Sequence, residues 1–292
     1  MKVLVTGGTG FIGRNLVEHY TGKAEILAPG RKELDLLDEA AVRDYFRKNR
    51  IEAVIHSATH PGHRNAKDPA NVFYKNLRMF FNIIRNADRY EKLIFLSSGA
   101  VYDMRHYIPK MREDYFDTHV PVDDHGFSKY ISAKHVESME NTVELRLFGV
   151  FGKYEDYAIR FISNAICKTL FDLPITIKQD RRFDYLYIED LGPILDRFLN
   201  GGQKHRCYNV TPDQAIELGT LARKVRNRSG KNLEIRVAHP GMGLEYSGDN
   251  NRLIKDIPDV RFTGIDEAID KLYSWYSSNK DTINREFLLN DK

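Results

Sequence analysis

Tyr130 and Lys134 stand four residues apart in the run His125-Gly-Phe-Ser-Lys-Tyr-Ile-Ser-Ala-Lys134, so on a helix they share one face about a turn from each other. That spacing has a chemical use. A phenol with its ordinary pKa of about 10 is a poor acid-base group at neutral pH, and a neighbouring ammonium lowers that value by favouring the phenolate. Such a tyrosine can pass a proton to or from a carbinol oxygen while hydride moves at the carbon. Ser98 closes the run Lys92-Leu-Ile-Phe-Leu-Ser-Ser98 and could hold the same oxygen. In a chain with 16 tyrosines a Tyr-x-x-x-Lys pair is also a common helix-surface feature, so the chemistry needs a hydride carrier beside it.

The N-terminal stretch Lys2-Val-Leu-Val-Thr-Gly-Gly-Thr-Gly-Phe-Ile-Gly13 supplies a place for one. Val3 to Val5 read as a buried strand, and Phe11 to Tyr20 as a helix with Ile12, Leu16 and Tyr20 on one face. Gly7 allows a sharp turn, Gly10 lets the backbone approach a pyrophosphate, and Gly13 lets the helix pack closely on the strand. The first helical N–H groups, at Phe11 and Ile12, then face the anion. The next strand, within Ala24-Glu-Ile-Leu-Ala-Pro-Gly-Arg31, carries no acid from Leu27 to Gly30 to bind a ribose 2′-hydroxyl. It offers Arg31 instead, with Arg14 beside the glycine turn, which predicts NADP(H), with NAD as the alternative.

The rest of the chain supplies the elements that carry these groups. Asp38 is a candidate N-cap for a helix through Val42, Tyr45 and Phe46, and Ile51 to Ala58 read as a strand ending in small residues. A helix is predicted from about Pro69 to Tyr90, with Val72, Leu77, Phe80, Phe81 and Ile84 on its apolar side. Strands alternating with helices over the first 150 residues predict an α/β fold with a parallel, doubly wound sheet, whose ligand lies beyond the carboxyl ends of the strands. Later segments read as helices at Tyr157–Phe171, from an Asp190 cap through Leu199, at Ile216–Val225 and at Asp266–Phe287. Strands are predicted at Pro174–Lys178, Phe183–Ile188, Tyr208–Val210 and Leu233–Ala238.

Composition excludes several function classes. The 44 basic and 41 acidic side chains leave a formal charge of +3, so neither a nucleic-acid nor a membrane partner is expected. No apolar run approaches the roughly 20 residues that span a bilayer, and the N-terminus passes straight into a strand, which predicts a cytoplasmic protein. Cys167 and Cys207 read as two reduced thiols. His60 and His63 share a loop but lack partners at metal spacing, so no metal is expected.

The chain resembles the extended short-chain dehydrogenase/reductases that act on nucleotide sugars. The resemblance runs through Thr6-Gly-Gly-Thr-Gly-Phe-Ile-Gly13, His56-Ser-Ala-Thr59, Asn76, Phe95-Leu-Ser-Ser-Gly-Ala-Val-Tyr102, Tyr130-Ile-Ser-Ala-Lys134, Leu145-Arg-Leu-Phe-Gly-Val-Phe-Gly152 and Tyr185-Leu-Tyr-Ile-Glu-Asp190. It implies a Rossmann domain over 1–152, with a returning segment at about 183–210, and a smaller C-terminal α/β substrate domain over 153–292. It implies Ser98, Tyr130 and Lys134 as catalytic residues, and Gly7, Gly10 to Gly13, Ala58 and Asn76 around the cofactor. Arg31-Lys-Glu-Leu-Asp-Leu-Leu-Asp38 looks most like the reductase branch, with Asp35 and Leu36 near the adenine. The expected activity is NADP(H)-dependent reduction of a 4-keto nucleotide sugar. A 4-epimerase and a non-catalytic NADP-binding redox sensor are the alternatives. The resemblance also implies, by analogy, an expected homodimer through the helices around Asn76 and Tyr130.

Three positions depart from the family pattern: Gly149 in place of an asparagine, Phe183 in place of an arginine, and Ala100 where the fucose synthase branch carries a cysteine. Arg181, Arg182, Arg236 and Arg252 are candidates for a nucleotide diphosphate, because guanidinium forks match phosphate oxygens.

Overall fold

The computed structural model describes residues 1–60 and 71–289; His63 and Pro69 lie outside them. The chain begins with β1 (Lys2–Thr6), α1 (Phe11–Tyr20), β2 (Glu25–Leu27), α2 (Glu39–Lys48), β3 (Ala53–His56), α3 (Val72–Ile84), β4 (Lys92–Ser98), α4 (Asp124–Val136) and β5 (Thr142–Leu147). It continues with β6 (Gly149–Phe151), α5 (Phe161–Leu170), β7 (Ile175–Asp180), β8 (Arg182–Phe183), β9 (Tyr185–Tyr187), α6 (Ile188–Leu199) and β10 (Cys207–Val210). β11 (Ile216–Glu217), α7 (Leu218–Ser229), β12 (Ile235–Met242), α8 (Asn251–Asp256) and α9 (Ile265–Ser278) complete it.

Six strands form one parallel sheet in the order β10-β5-β4-β3-β1-β2. Strand order reverses between β1 and β3, which opens a crevice beyond their carboxyl ends. Helices cover both faces, so the strands are apolar throughout and successive side chains enter opposite cores. Val3 and Val5 join Leu16 and Tyr20 of α1 and Leu195 of α6. Leu4 points the other way, into Val42 and Phe46 of α2 and Ile83 of α3. Asp38 caps α2 through the amides of Ala40 at 2.9 Å and Ala41 at 3.1 Å, a contact worth about 1 kcal/mol.

Several boundaries differ from the sequence reading for local reasons. α5 starts at Phe161, since the preceding residues form a turn held by Asp156, whose carboxylate accepts from the Ala158 amide. Asp190 does not cap α6. That helix begins at Ile188, and the Asp190 carboxylate instead takes the amide and hydroxyl of Thr263 at 2.9 and 2.6 Å. α7 begins at Leu218, because Ile216 and Glu217 pair with β8. α9 stops at Ser278, where the Asn279 side chain closes on the Trp275 carbonyl, and short 3-10 turns follow. The helix expected to run to Tyr90 ends at Ile84, followed by a 3-10 turn at Ala87–Arg89.

The later elements pack β12 on β7, β6 on β9 and β8 on β11. Their apolar residues, among them Ile166, Ile177, Leu221 and Leu272, share one continuous cluster with Val5, Ile94 and Leu145 of the sheet. β10 is an outer strand, and the Asn209 amide donates to Glu113 Oε1 at 2.8 Å. Beside it lies a buried polar group. Arg146 donates to Glu144 at 3.0 Å and to the Tyr102 hydroxyl at 2.9 Å, and its guanidinium lies 4.4 Å from the Phe116 ring centre.

Two carboxyls are also buried in this region. Burial pushes Glu155 up to about 7 and Asp184 up to about 6, against hydrogen bonds from Ser163 and the Gly248 amide that favour the charged forms. An acid raised in the folded state binds its proton more tightly there than in the unfolded chain. Its stabilising contribution is therefore complete below the unfolded pKa of about 4.3 and is lost as pH rises towards the folded value. These two acids are expected to lower the melting temperature between pH 5 and pH 8, and Glu155→Gln is expected to remove the Glu155 share. Below about pH 6.5 they are opposed by buried His56, whose lowered pKa favours the fold as pH rises. Thermal melts of both proteins at the two pH values check this, and equal falls would exclude Glu155 as a source.

Candidate active site

The glycine turn has the shape a pyrophosphate cradle requires. Gly7 has φ +72°, and a Cβ there would lie 2.8 Å from Ala58 Cα, so β1 and the turn after β3 touch backbone to backbone. At Gly13 a Cβ would lie 2.1 Å from the Gly7 oxygen. α1 starts after Gly10 with no side-chain cap, which leaves the amides of its first turn for an anion. The residues present thus fit a dinucleotide. Around them Thr6 ties the strand ends together, its hydroxyl 2.8 Å from His56 Nδ1 while Ser57 Oγ donates to the Thr6 carbonyl at 2.6 Å. Asn76 accepts the His60 amide at 2.6 Å, so it fixes the backbone beyond β3.

On the loop after β2 Arg31 is exposed, and its guanidinium pairs loosely with Asp35 at 3.5 Å. The other Asp35 oxygen accepts from the Leu37 amide at 3.0 Å, while Leu36 is buried and its carbonyl receives Asn82. Arg14, expected beside the same phosphate, instead stacks 3.8 Å above the Tyr154 ring.

Ser98 ends β4, where its hydroxyl accepts from the Ala100 amide at 3.1 Å and starts a 3-10 turn. Tyr130 and Lys134 do meet, but through a third group. The Tyr130 hydroxyl donates to Asp117 Oδ1, and Lys134 reaches Asp117 Oδ2 at 3.1 Å and Glu137 at 2.6 Å. Asp117 holds a left-handed backbone at φ +72° and is half exposed, as is Lys134. The expected lowering of the phenol pKa is reversed. Burial, then the bond to Asp117 and its charge, raise Tyr130, and they outweigh Lys134.

Among the described residues no hydrogen bond joins this pair to Ser98, and the levels of α4 and β4 set them apart. α4 leads into the start of β5, so its first turn lies at the carboxyl ends of the strands and its last at their amino ends. Lys129 marks the level of Leu96, to whose carbonyl its ammonium donates at 3.2 Å. Ser98 lies two strand residues, roughly 7 Å, beyond that level. Lys134 lies five helical residues, roughly 7 Å, on the other side. The sequence reading missed both Lys129 and Asp117: the first hides in the same helical run, and the second is a loop residue with no pattern around it.

The departures have structural reasons. A Cβ at Gly149 would lie 2.6 Å from the Asp184 carbonyl oxygen, so glycine lets β6 pass there. Phe183 packs on Tyr185 and Tyr246. Of the four arginines, Arg182 pairs with Glu217, Arg236 with Glu234, and Arg252 with Glu113 and the Cys207 carbonyl. Arg181 lies 5.8 Å over the Phe183 ring. Both cysteines are free thiols. Among the described residues no cluster suits a metal ion, and no helix is long and apolar enough to cross a membrane.

Comparison with known proteins agrees with this architecture. GDP-L-colitose synthase from Yersinia pseudotuberculosis is 26% identical over 233 residues, covering 70% of this chain and 74% of that protein. The fold matches UDP-glucose 4-epimerase from Thermotoga maritima with a TM-score of 0.83 at 18% identity, over 96% of this chain and 100% of that one. It matches the NADP-bound GDP-mannoheptose C4 reductase from Campylobacter jejuni with a TM-score of 0.80 at 20% identity, over 94% and 98%. The model of the NAD dependent epimerase/dehydratase family matches residues 3–211, and the chain belongs to that family, as an NAD(P)-dependent enzyme of the extended short-chain dehydrogenase/reductase type.

Proposed function

We propose that the protein reduces the 4-keto group of a nucleotide sugar with NADPH. The observation that carries this is Arg31, 73% exposed on the loop after β2, where an NAD site calls for an acid. A 2′-phosphate takes such a guanidinium through charge-assisted bonds that the 3.5 Å contact to Asp35 does not match. NADPH suits net reduction, whereas a redox-neutral epimerisation needs only a retained cofactor. The likeness to GDP-L-colitose synthase supports the same branch.

When bound, the reduced nicotinamide supplies hydride. Gly7, Gly10 and Gly13, with the amides of Phe11 and Ile12, would hold the pyrophosphate, and Ala58 and Asn76 would shape the wall beside it. Ser98 holds the substrate carbonyl oxygen at the carboxyl end of β4, and a donor on α4 protonates the oxygen as charge develops.

Incubation with NADPH and a panel of 4-keto nucleotide sugars, followed by loss of 340-nm absorbance, tests the reading. A tightly held NAD that survives purification, with interconversion of two 4-epimers and no net oxidation of cofactor, would overturn it. Arg31→Ala is expected to weaken NADPH binding about tenfold, the worth of a charge-assisted hydrogen bond, and to leave NADH binding unchanged. Fluorescence titrations with the two cofactors measure the difference.

A further inference from the structure

We propose that the proton donor of this site is His125, supported by Lys129 one helical turn behind it, and that Tyr130 and Lys134 form a structural latch with Asp117. The inference rests on the reductase reading above and names the group that completes it.

α4 carries two pairs with the same four-residue spacing, and the roll of the helix sends them in different directions. Lys134 is 39% exposed and held by two carboxylates, while Lys129 is buried against the sheet with its ammonium on the Leu96 carbonyl and 4.8 Å from the Phe95 ring centre. His125 stands four residues before Lys129, about 6 Å nearer the carboxyl ends of the strands, which is the level of Ser98. The residue between them fixes that placement. A Cβ at Gly126 would lie 2.8 Å from the Ala100 carbonyl oxygen and 2.9 Å from Pro121 Cβ, so the first turn of α4 presses on the 3-10 turn that Ser98 starts. Ser128 Oγ donates to the His125 carbonyl at 2.8 Å and steadies the same turn.

The chemistry suits the place. An imidazole changes charge near pH 6.5, so it can deliver a proton at neutral pH without the pKa shift that a phenol needs. Burial pulls Lys129 down to about 8, opposed by the charge of Glu144 on β5, and His56 at the end of β3 is the other titratable neighbour. In the step itself the substrate carbonyl carbon accepts hydride, the carbonyl π pair moves to oxygen, and that oxygen takes the proton from the His125 imidazolium. Neutral His125 then recovers its proton from water.

Five variants test this: His125→Phe, His125→Tyr, Lys129→Met, Tyr130→Phe and Lys134→Met. NADPH affinity is read by fluorescence titration and hydride transfer by single turnover with a substrate the wild type reduces. His125→Phe is expected to bind NADPH within about twofold of wild type and to slow hydride transfer about 100-fold or more, the usual worth of a general acid. His125→Tyr should recover at least about tenfold of that loss, with a pH profile moved to higher pH. Lys129→Met should weaken NADPH binding about tenfold, whereas Tyr130→Phe and Lys134→Met keep both affinity and rate. Loss of turnover in Tyr130→Phe with His125→Phe fully active would overturn the proposal. If His125→Phe does not fold, His125→Asn replaces it. If the wild type reduces no substrate, the reductase reading fails, while NADPH binding by Lys129→Met against Lys134→Met still decides which lysine serves the site.

Discussion

Gly13→Ala is expected to impair cofactor binding, raising the NADPH Kd roughly 10- to 100-fold. The added methyl would sit 2.1 Å from the Gly7 oxygen, 2.6 Å from the Gly7 carbonyl carbon and 2.7 Å from Gly8 Cα. All three are backbone atoms, so no side chain can swing away. Either α1 lifts off β1 or the glycine turn opens, and both displace the amides that face the pyrophosphate. Overpacking of this kind costs about 1–3 kcal/mol, and here most of it falls on the bound state, which converts to the stated loss. Gly264→Ala is the control, since nothing lies within 4 Å of its added carbon and its φ is −59°. Fluorescence titration with NADPH and a thermal melt of each variant separate lost binding from lost folding. Unchanged affinity in Gly13→Ala would mean that the cradle is not where the cofactor sits.

Arg146→Met is expected to cost about 3–5 kcal/mol of stability, because it strands a buried charge. Both Arg146 and Glu144 are about 1% exposed and 2.9 Å apart, and the guanidinium also serves the Tyr102 hydroxyl and covers Phe116. Removing the cation leaves the Glu144 carboxylate without its partner in a medium that cannot solvate it. Glu144→Gln combined with Arg146→Met should recover much of the loss, since the uncompensated charge is gone. At about 2–4 °C per kcal/mol for a chain of this size, the single variant should melt roughly 10 °C low. A double variant no better than the single one would show that the packing of the guanidinium, and not its charge, is what matters.

The sheet and the cradle were legible because each residue there answers to a local rule. The spacing of Gly7, Gly10 and Gly13, the apolar run through Val5 and the cap at Asp38 depend on neighbours a few residues away, and α1 and β4 stand at the predicted bounds. The misread parts depend on distant partners. Asp190 looks like a helix cap until Thr263, 73 residues later, claims its carboxylate. Tyr130 looks like an activated phenol until Asp117, whose left-handed turn follows no sequence pattern, takes its proton donor. Spacing alone also cannot rank His125 and Lys129 against Tyr130 and Lys134, since both pairs fit one helical turn. The contacts that roll α4, Gly126 on Ala100 and Lys129 on Leu96, are made across the fold.

Glu113 has a consequence for how copies of this protein behave at high concentration. An outer strand with unanswered amides is a template on which a second chain can polymerise. With the Asn209 amide held by a carboxylate, and the Asn209 side chain bonded to the carbonyls of Met111 and Asp249, a visiting strand finds that rung already taken and meets buried negative charge besides. The contact closes that rung of the outer edge of the six-stranded sheet to a visiting strand.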